Sequence, residues 1–287
     1  MPASLSPSIE LIDTLQFGLP GTGAAYHIYG ESHALIDTGT SHAVTRIKEQ
    51  LGPHAPEFIF LTHIHPDHAG GAALLAQAYP QAMIGVHKLG VKHLIDPSRV
   101  NASVRALTGQ LASLYGELLP LSSERITVLK HGDRFDLGKG IIIEVIDSPG
   151  HAPHHLCFFD RSHRALFCGD AVGIRRDRIH VPATVPPSFD LEQSYATIHH
   201  LKEYQPDRLY FAHFGEVSSA VSVLEQYDHA LREWVEKIHK LCRSLSDDQV
   251  VREILRAPQF KQLPEELRSE LAMCVRGVLH YLAREDR

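Results

Sequence analysis

The sequence has few cysteines, no long apolar run and no excess of positive charge. Its four cysteines lie far apart in no metal-like pairing, which predicts a reducing, cytoplasmic location. The longest apolar stretches, such as residues 140–143, are much too short to span a membrane. Because the formal net charge is −6, nucleic acid is not expected as the main partner. No basic region followed by an apolar stretch opens the chain, so we expect no signal peptide.

The chain contains enough apolar sequence to form a full globular core. Of its 287 residues, 44% are hydrophobic and 22% are charged, which is typical of a soluble domain. Apolar and β-branched runs predict strands at residues 9–17, 24–29 and 33–37, and the pattern that follows predicts a helix at 41–51. Strands mixed with helices in this way indicate an α/β fold.

Histidine is unusually abundant, with 21 residues, and it is concentrated in the segment THIHPDHAGG at residues 62–71. The segment holds His63, His65, Asp67 and His68, and it directly follows an apolar run that predicts a buried strand. Imidazole and carboxylate are ligands that zinc and related metals prefer. Alternate residues of an extended chain point the same way. His63 and His65 can therefore share one ion, while Asp67 and His68 face a second.

This segment resembles the His-x-His-x-Asp-His signature of the metallo-β-lactamase superfamily. Enzymes of that family complete two metal sites with three later ligands, and each has a match here that follows a predicted strand. The matches are His151 in DSPGHAPHH, Asp170 in LFCGDAVG and His213 in LYFAHFG. Asp37, in ALIDTG, resembles the family's aspartate that supports the site. The matches occur in family order over most of the chain.

The resemblance implies both a fold and a chemistry. The fold would be a four-layer αββα sandwich with the metals at one edge. His63, His65 and His151 would hold one divalent ion, Asp67, His68 and His213 the other, and Asp170 would bridge them. A hydroxide shared by the ions would cleave an ester, lactone or thioester of a small molecule, with Asp67 in a catalytic proton-transfer role. Zinc is the expected metal, and iron or manganese would accept the same ligands.

Three other interpretations of the site remain open. It could fold the protein without doing chemistry, but structural zinc sites are normally closed and rich in cysteine, which this motif lacks. It could serve an iron-dependent oxidoreductase on the same scaffold. It could also belong to a regulatory or binding protein whose C-terminal helices engage a partner. Among hydrolases, glutathione thioesters are disfavoured because the family's Gly-His-Thr-x-Gly-His reads Gly-His-Ala-Pro-His-His at residues 150–155.

The chain is predicted to have a catalytic domain at residues 1–215 and a helical extension at 216–287. A helical insertion at about 97–120 either covers the site as a lid or forms another outer helix. Residues 172–187 carry Arg175, Arg176 and Arg178, which either attract an anionic substrate or lie in a solvated loop.

Three further features complete the predictions from sequence. The extension is predicted to hold three helices, of which the first covers residues 217–242. These helices would pack on the core, form a homodimer surface or contact substrate. His155 is predicted to orient His151.

Overall fold

The structure, a computed structural model of the chain, describes residues 8–176 and 179–285. The first half forms a six-stranded sheet in which the strands are adjacent in sequence order. The first three strands pair antiparallel and the last three join in parallel. The strands are β1 Ile9–Asp13, β2 Ala24–Tyr29, β3 His33–Ile36, β4 Phe58–Phe60, β5 Met83–His87 and β6 Ile126–Leu129.

The second half forms another six-stranded sheet and a separate hairpin. The sheet order is β14-β13-β10-β9-β8-β7, in which only the β10–β13 pair is parallel. Strands β11 and β12 form the hairpin. The bounds are β7 Arg134–Asp136, β8 Ile142–Asp147, β9 Leu156–Asp160, β10 Ala165–Gly169, β11 Ile174–Arg176, β12 Ile179–Val181, β13 Arg208–Phe211 and β14 Glu216–Ser218.

Ten α-helices of the described ranges lie around and between the strands. Short 3₁₀ turns accompany several of them, including Gln16–Gly18 and Ser41–Ala43. The helices are α1 Val44–Leu51, α2 Pro66–Ala69, α3 Ala72–Ala78, α4 Val91–Ile95, α5 Ser98–Thr108, α6 Ala112–Tyr115, α7 Leu191–Glu203, α8 Ala220–Cys242, α9 Asp247–Leu255 and α10 Glu265–Glu285. None of the helices in the described part of the chain is long and apolar enough to cross a membrane.

The two sheets pack face to face over an aromatic core. Side chains such as Tyr26, Phe60, Phe158 and Tyr210 fill the space between the sheets and are fully buried or nearly so. Helices α1 and α3 cover the outer face of the first sheet, and α7 to α10 cover the outer face of the second. The predicted α/β four-layer αββα sandwich is confirmed. Its layers bury both faces of each sheet, as a mixed sheet flanked by helices requires.

Several element boundaries differ from the prediction. The first strand ends at Asp13 because Leu15 and Phe17 adopt positive φ angles of 50° and 60°, which break the extended chain. Val217 does not begin a helix but lies in β14, opposite Leu209 of β13. The helix starts at Ala220, so the second sheet continues past residue 215. The division into domains at residue 215 stays a prediction.

Candidate metal centre

The chain order of the strands brings the predicted ligands to one edge of the sandwich. His63 and His65 follow β4, and the first turn of α2 carries Asp67 and His68. The remaining three ligands lie in loops of the second sheet, after β8, β10 and β13. The structure places all seven side chains in one cluster, and it buries most of them. The cluster consists of His63, His65, Asp67, His68, His151, Asp170 and His213.

Three imidazole rings form the first group. The Nε2 atom of His63 lies 2.9 Å from Nδ1 of His65 and 3.2 Å from Nε2 of His151. His151 Nδ1 lies 2.7 Å from the carbonyl oxygen of Ala183. A carbonyl only accepts, so Nδ1 carries the proton and Nε2 of His151 presents a lone pair to the other two rings. These three nitrogens can hold one metal ion.

Asp37 holds the ligands of both groups from behind. Thr62 donates its hydroxyl hydrogen to the Asp37 carboxylate, 2.8 Å away, so the Thr62 oxygen can accept from Nδ1 of His63 at 3.1 Å. His68 Nδ1 lies 2.9 Å from the same carboxylate oxygen, Asp37 Oδ2. Each contact occupies the Nδ1 atom of its ring, so both rings turn their Nε2 atoms inward toward the cluster. The predicted supporting position of Asp37 agrees with these contacts.

The second group consists of Asp67, His68 and His213, next to Asp170. Oδ1 of Asp170 lies 3.4 Å from Nε2 of His68 and 3.3 Å from Nε2 of His213, while its Oδ2 lies 3.5 Å from Nε2 of His151. Asp170 thus reaches both groups. Within the described residues, His68 Nε2 and Asp170 Oδ1 are buried without a hydrogen-bond partner. A cation between them would satisfy both atoms, so the donor set fits a metal ion.

The electrostatics of the cluster also favour a cation. Burial alone would lower the pKa of His68, but the carboxylates of Asp170, Asp67 and Asp37 outweigh it and raise the pKa to about 10. Burial would raise the pKa of Asp170, yet the imidazoles of His213, His68 and His151 hold it well below its usual range. The Asp170 carboxylate is therefore ionised in a buried place, where negative charge needs a positive partner.

His155 has a different role from the one predicted. Its Nδ1 lies 2.8 Å from the Ser148 hydroxyl, and its Nε2 accepts the backbone N–H of Asp170 at 3.0 Å. It therefore fixes the Asp170 loop and does not orient His151. Gly169, with φ of 48°, lets this contact form, because a Cβ there would lie 2.5 Å from the His155 ring nitrogen.

A buried ion pair that was not predicted from the sequence lies behind His213. Glu270 of α10 is 4% exposed and forms a two-pronged pair with Arg176 of β11. The Arg176 guanidinium also lies 2.8 Å from Nδ1 of His213 and donates to the Thr22 carbonyl at 3.0 Å. The sequence offered one sign of this pair: Glu270 is a charged residue in the apolar stripe of α10, which includes Leu267 and Leu271.

The arginine hypotheses therefore need correction. Arg176 neither attracts an anion nor lies in a solvated loop, because its guanidinium is buried against Glu270. Arg175 lies over the ring of Phe211, 5.7 Å from its centre. Arg178 lies outside the described residues.

A cavity opens directly onto the two groups of ligands. Besides the ligands it is lined by α5 and α6 of the insertion, through residues that include Leu107 and Tyr115, and by Met273 of α10. The insertion and the C-terminal extension thus both form walls of the site. Homodimer formation through the C-terminal helices stays a prediction.

Known proteins resemble this chain in both sequence and fold. The family model for the metallo-beta-lactamase superfamily matches residues 18–213. The metallo-beta-lactamase fold-containing protein ST1585 of Sulfurisphaera tokodaii is 30% identical over 209 residues, which are 70% of this chain and 76% of that protein. The crystal structure of ST1585 has a TM-score of 0.73 at 23% identity and covers 96% of this chain and 99% of that one.

Two further proteins are similar over part of the chain. A hydroxyacylglutathione hydrolase of Albidiferax ferrireducens is 31% identical over 149 residues, 50% of this chain and 46% of the hydrolase. The structure of TTHA1623 in a di-iron-bound form has a TM-score of 0.53 at 23% identity and covers 77% of this chain and 96% of that one. The family-model match extends over more than half of the sequence, and the ligand cluster lies at the expected edge of the fold. This chain belongs to the metallo-β-lactamase superfamily.

Proposed function

We propose that this protein is a hydrolase that holds two divalent cations and cleaves an ester, lactone or thioester of a small molecule. The observation that carries the proposal is the position of Asp170. Its two carboxylate oxygens face two separate groups of inward-pointing ligand atoms. Such a shared carboxylate is typical of a two-metal site with open positions and not of a closed structural site.

Each ligand has a definite place in this proposal. His63, His65 and His151 hold one cation, and Asp67, His68 and His213 hold the other. When bound, two such cations lower the pKa of coordinated water to about 7 and polarise a substrate carbonyl. Zinc is the expected metal. The resemblance to TTHA1623, which has been solved with two iron ions, keeps iron as an alternative.

Asp67 is the candidate for proton transfer. Gln16 donates its side-chain N–H to Asp67 Oδ2 at 3.0 Å, which fixes the carboxylate beside the cavity. Gln16 is 2% exposed and was not identified from the sequence. Asp67 is only partly buried and lines the cavity, so its carboxylate can take a proton from water that attacks the carbonyl.

Tyr115 offers a second polar group to the substrate. It lines the cavity from α6, and its ring packs edge-on against Phe17 at 5.0 Å between centres. Within the described residues its hydroxyl makes no hydrogen bond, so it is free to donate one to a substrate oxygen.

The experiment that tests the proposal is hydrolysis by the metal-loaded protein of an ester, a lactone and a thioester, with Asp67→Asn as the variant. We expect turnover of at least one substrate class, and a loss of about 100-fold or more in kcat in the variant. Metal content is measured on the same samples, because loss of the second cation would also remove activity. Absence of turnover in all three classes with two ions bound per chain would contradict the proposal.

Iron-dependent redox chemistry is the second candidate function. The same preparation distinguishes it: two iron ions per chain with turnover that depends on a reductant, and without hydrolysis, would favour it over the hydrolase. A small-molecule substrate is expected under either function. The expected absence of nucleic-acid and membrane partners stays a prediction.

A further inference from the structure

We infer that the substrate presents a neutral, apolar acyl group to the wall of the active-site cavity. This inference rests on the proposed function. The lining divides by chemistry: one part consists of the ligands and Glu270, and the rest is almost entirely apolar. The apolar wall is formed by Val104, Leu107, Ile174, Val185, Pro186 and Met273.

No lysine or arginine of residues 8–176 and 179–285 lines this cavity. The guanidinium of Arg176 lies behind the site and is engaged by Glu270, the Thr22 carbonyl and His213. An anionic group on the acyl part would therefore meet apolar side chains and the carboxylates of Asp67 and Glu270. A buried charge without a partner is strongly disfavoured, so the wall selects against it.

Three distant segments of the chain build the wall. The insertion contributes Val104 and Leu107 from α5, the loop after β12 contributes Val185, and α10 contributes Met273. The close approach of α10 to that loop depends on Gly277, because a Cβ there would overlap the Thr184 carbonyl oxygen.

Leu107 lies at the solvent side of this wall. It is 45% exposed, and α5 has no fully buried residue, so this helix does not carry Leu107 into the protein core. Leu107 therefore lines the cavity at its edge and is open to contact with a bound ligand. The cavity volume is about 80 Å³. A longer acyl chain would pass Leu107 and reach solvent.

The test compares p-nitrophenyl acetate, butyrate, hexanoate and the succinate monoester, with rates corrected for hydrolysis without enzyme. Each buried methylene raises kcat/KM about fourfold, so we expect butyrate to exceed acetate by about 15-fold. The succinyl group has the same chain length as butyryl but ends in a carboxylate, and we expect its kcat/KM to be at least tenfold below that of butyrate. The rise in kcat/KM with acyl chain length should end once the acyl chain reaches solvent.

The variant is Leu107→Asp, and Leu119→Asp is its matched control. Leu119 belongs to the same insertion and is similarly exposed, at 40%, but does not line the cavity. We expect Leu107→Asp to reduce the preference for butyrate over acetate to less than fourfold, mainly through KM. Leu119→Asp should retain the 15-fold preference. Leu107→Ala, which keeps an uncharged helix, should give an intermediate value and guards against misfolding of the aspartate variant.

Titration calorimetry separates this inference from the proposed function. It measures the binding of acetate, butyrate and hexanoate to the metal-loaded protein. If no ester, lactone or thioester is cleaved but affinity rises with chain length and depends on Leu107, the hydrolase proposal fails and the inference stands. If esters are cleaved without a gain from acetate to butyrate, or succinate equals butyrate, the inference is overturned and the hydrolase proposal stands. If neither cleavage nor graded binding occurs, both are overturned.

Discussion

Replacing Glu270 by glutamine tests whether the C-terminal helix supports the second cation site. The substitution keeps the shape of the side chain and removes its charge. Burial would raise the pKa of the Glu270 carboxyl, but Arg176 and His213 outweigh it and lower the pKa below its usual value. The wild-type side chain is therefore an ionised carboxylate. In the variant the guanidinium of Arg176, which is largely buried, loses its counter-charge.

The expected effect follows from the tautomer of His213. To bind a cation through Nε2, the neutral ring must carry its proton on Nδ1. Arg176 only donates hydrogen bonds and cannot receive that proton. Oε1 of Glu270 lies 3.8 Å from Nδ1 and can receive it after a small movement. Loss of such a partner typically costs 10–100-fold in metal affinity, or about 1.4–2.7 kcal/mol.

The assay is metal affinity by chelator competition for each of the two ions. We expect Glu270→Gln to lower the affinity for one ion by 10–100-fold. The affinity for the other ion, which His63, His65 and His151 hold, should not change. Glu265→Gln serves as the control because Glu265 is exposed on the same helix. Two ions bound by Glu270→Gln with wild-type affinity would refute the role assigned to Glu270.

Three other substitutions give independent predictions. Tyr115→Phe should lower kcat/KM about tenfold and leave the metal content unchanged, since it removes one hydrogen bond to substrate; an unaltered kcat/KM would exclude that contact. Gly277→Ala should destabilise the fold by about 1–3 kcal/mol in denaturant unfolding, because the new methyl overlaps the Thr184 carbonyl. Burial and then His33 and His54 lower the pKa of His27 to about 4. In the unfolded chain the pKa of His27 is about 6.5. The free energy of unfolding should therefore decrease as the pH falls from 6.5 to 4, by up to about 2 kcal/mol after allowing for solvent screening. His27→Gln should weaken this dependence of stability on pH.

Local sequence patterns predicted the fold, and they identified the seven candidate ligands that the structure brings together. The alternation of His63 and His65 after an apolar strand defines a local geometry that needs no knowledge of distant contacts. The resemblance then supplied His151, Asp170 and His213, whose strands end at the same edge of the sandwich. Each of these ligands lies in a motif of a few residues that can be recognised in the sequence alone.

Features that depend on tertiary contacts could not be predicted in this way. Arg176 looked like a loop arginine because its partner, Glu270, lies far along the chain on the last helix. Val217 fits the helical pattern that follows it, yet pairing with β13 places it in a strand. His155 matched a family position, but its hydrogen bonds to Ser148 and Asp170 depend on how two loops meet.

Metal content per chain shows whether the ligand cluster holds two metal ions. The measurement uses protein purified without added metal, together with His213→Ala and His151→Ala, and each variant removes a ligand from one group only. We predict about two ions in the wild type and about one in each variant. In each variant one of the two groups loses one of its three ligands, and the other group stays intact. A single ion in the wild type that is unchanged in His213→Ala would contradict the two-metal account.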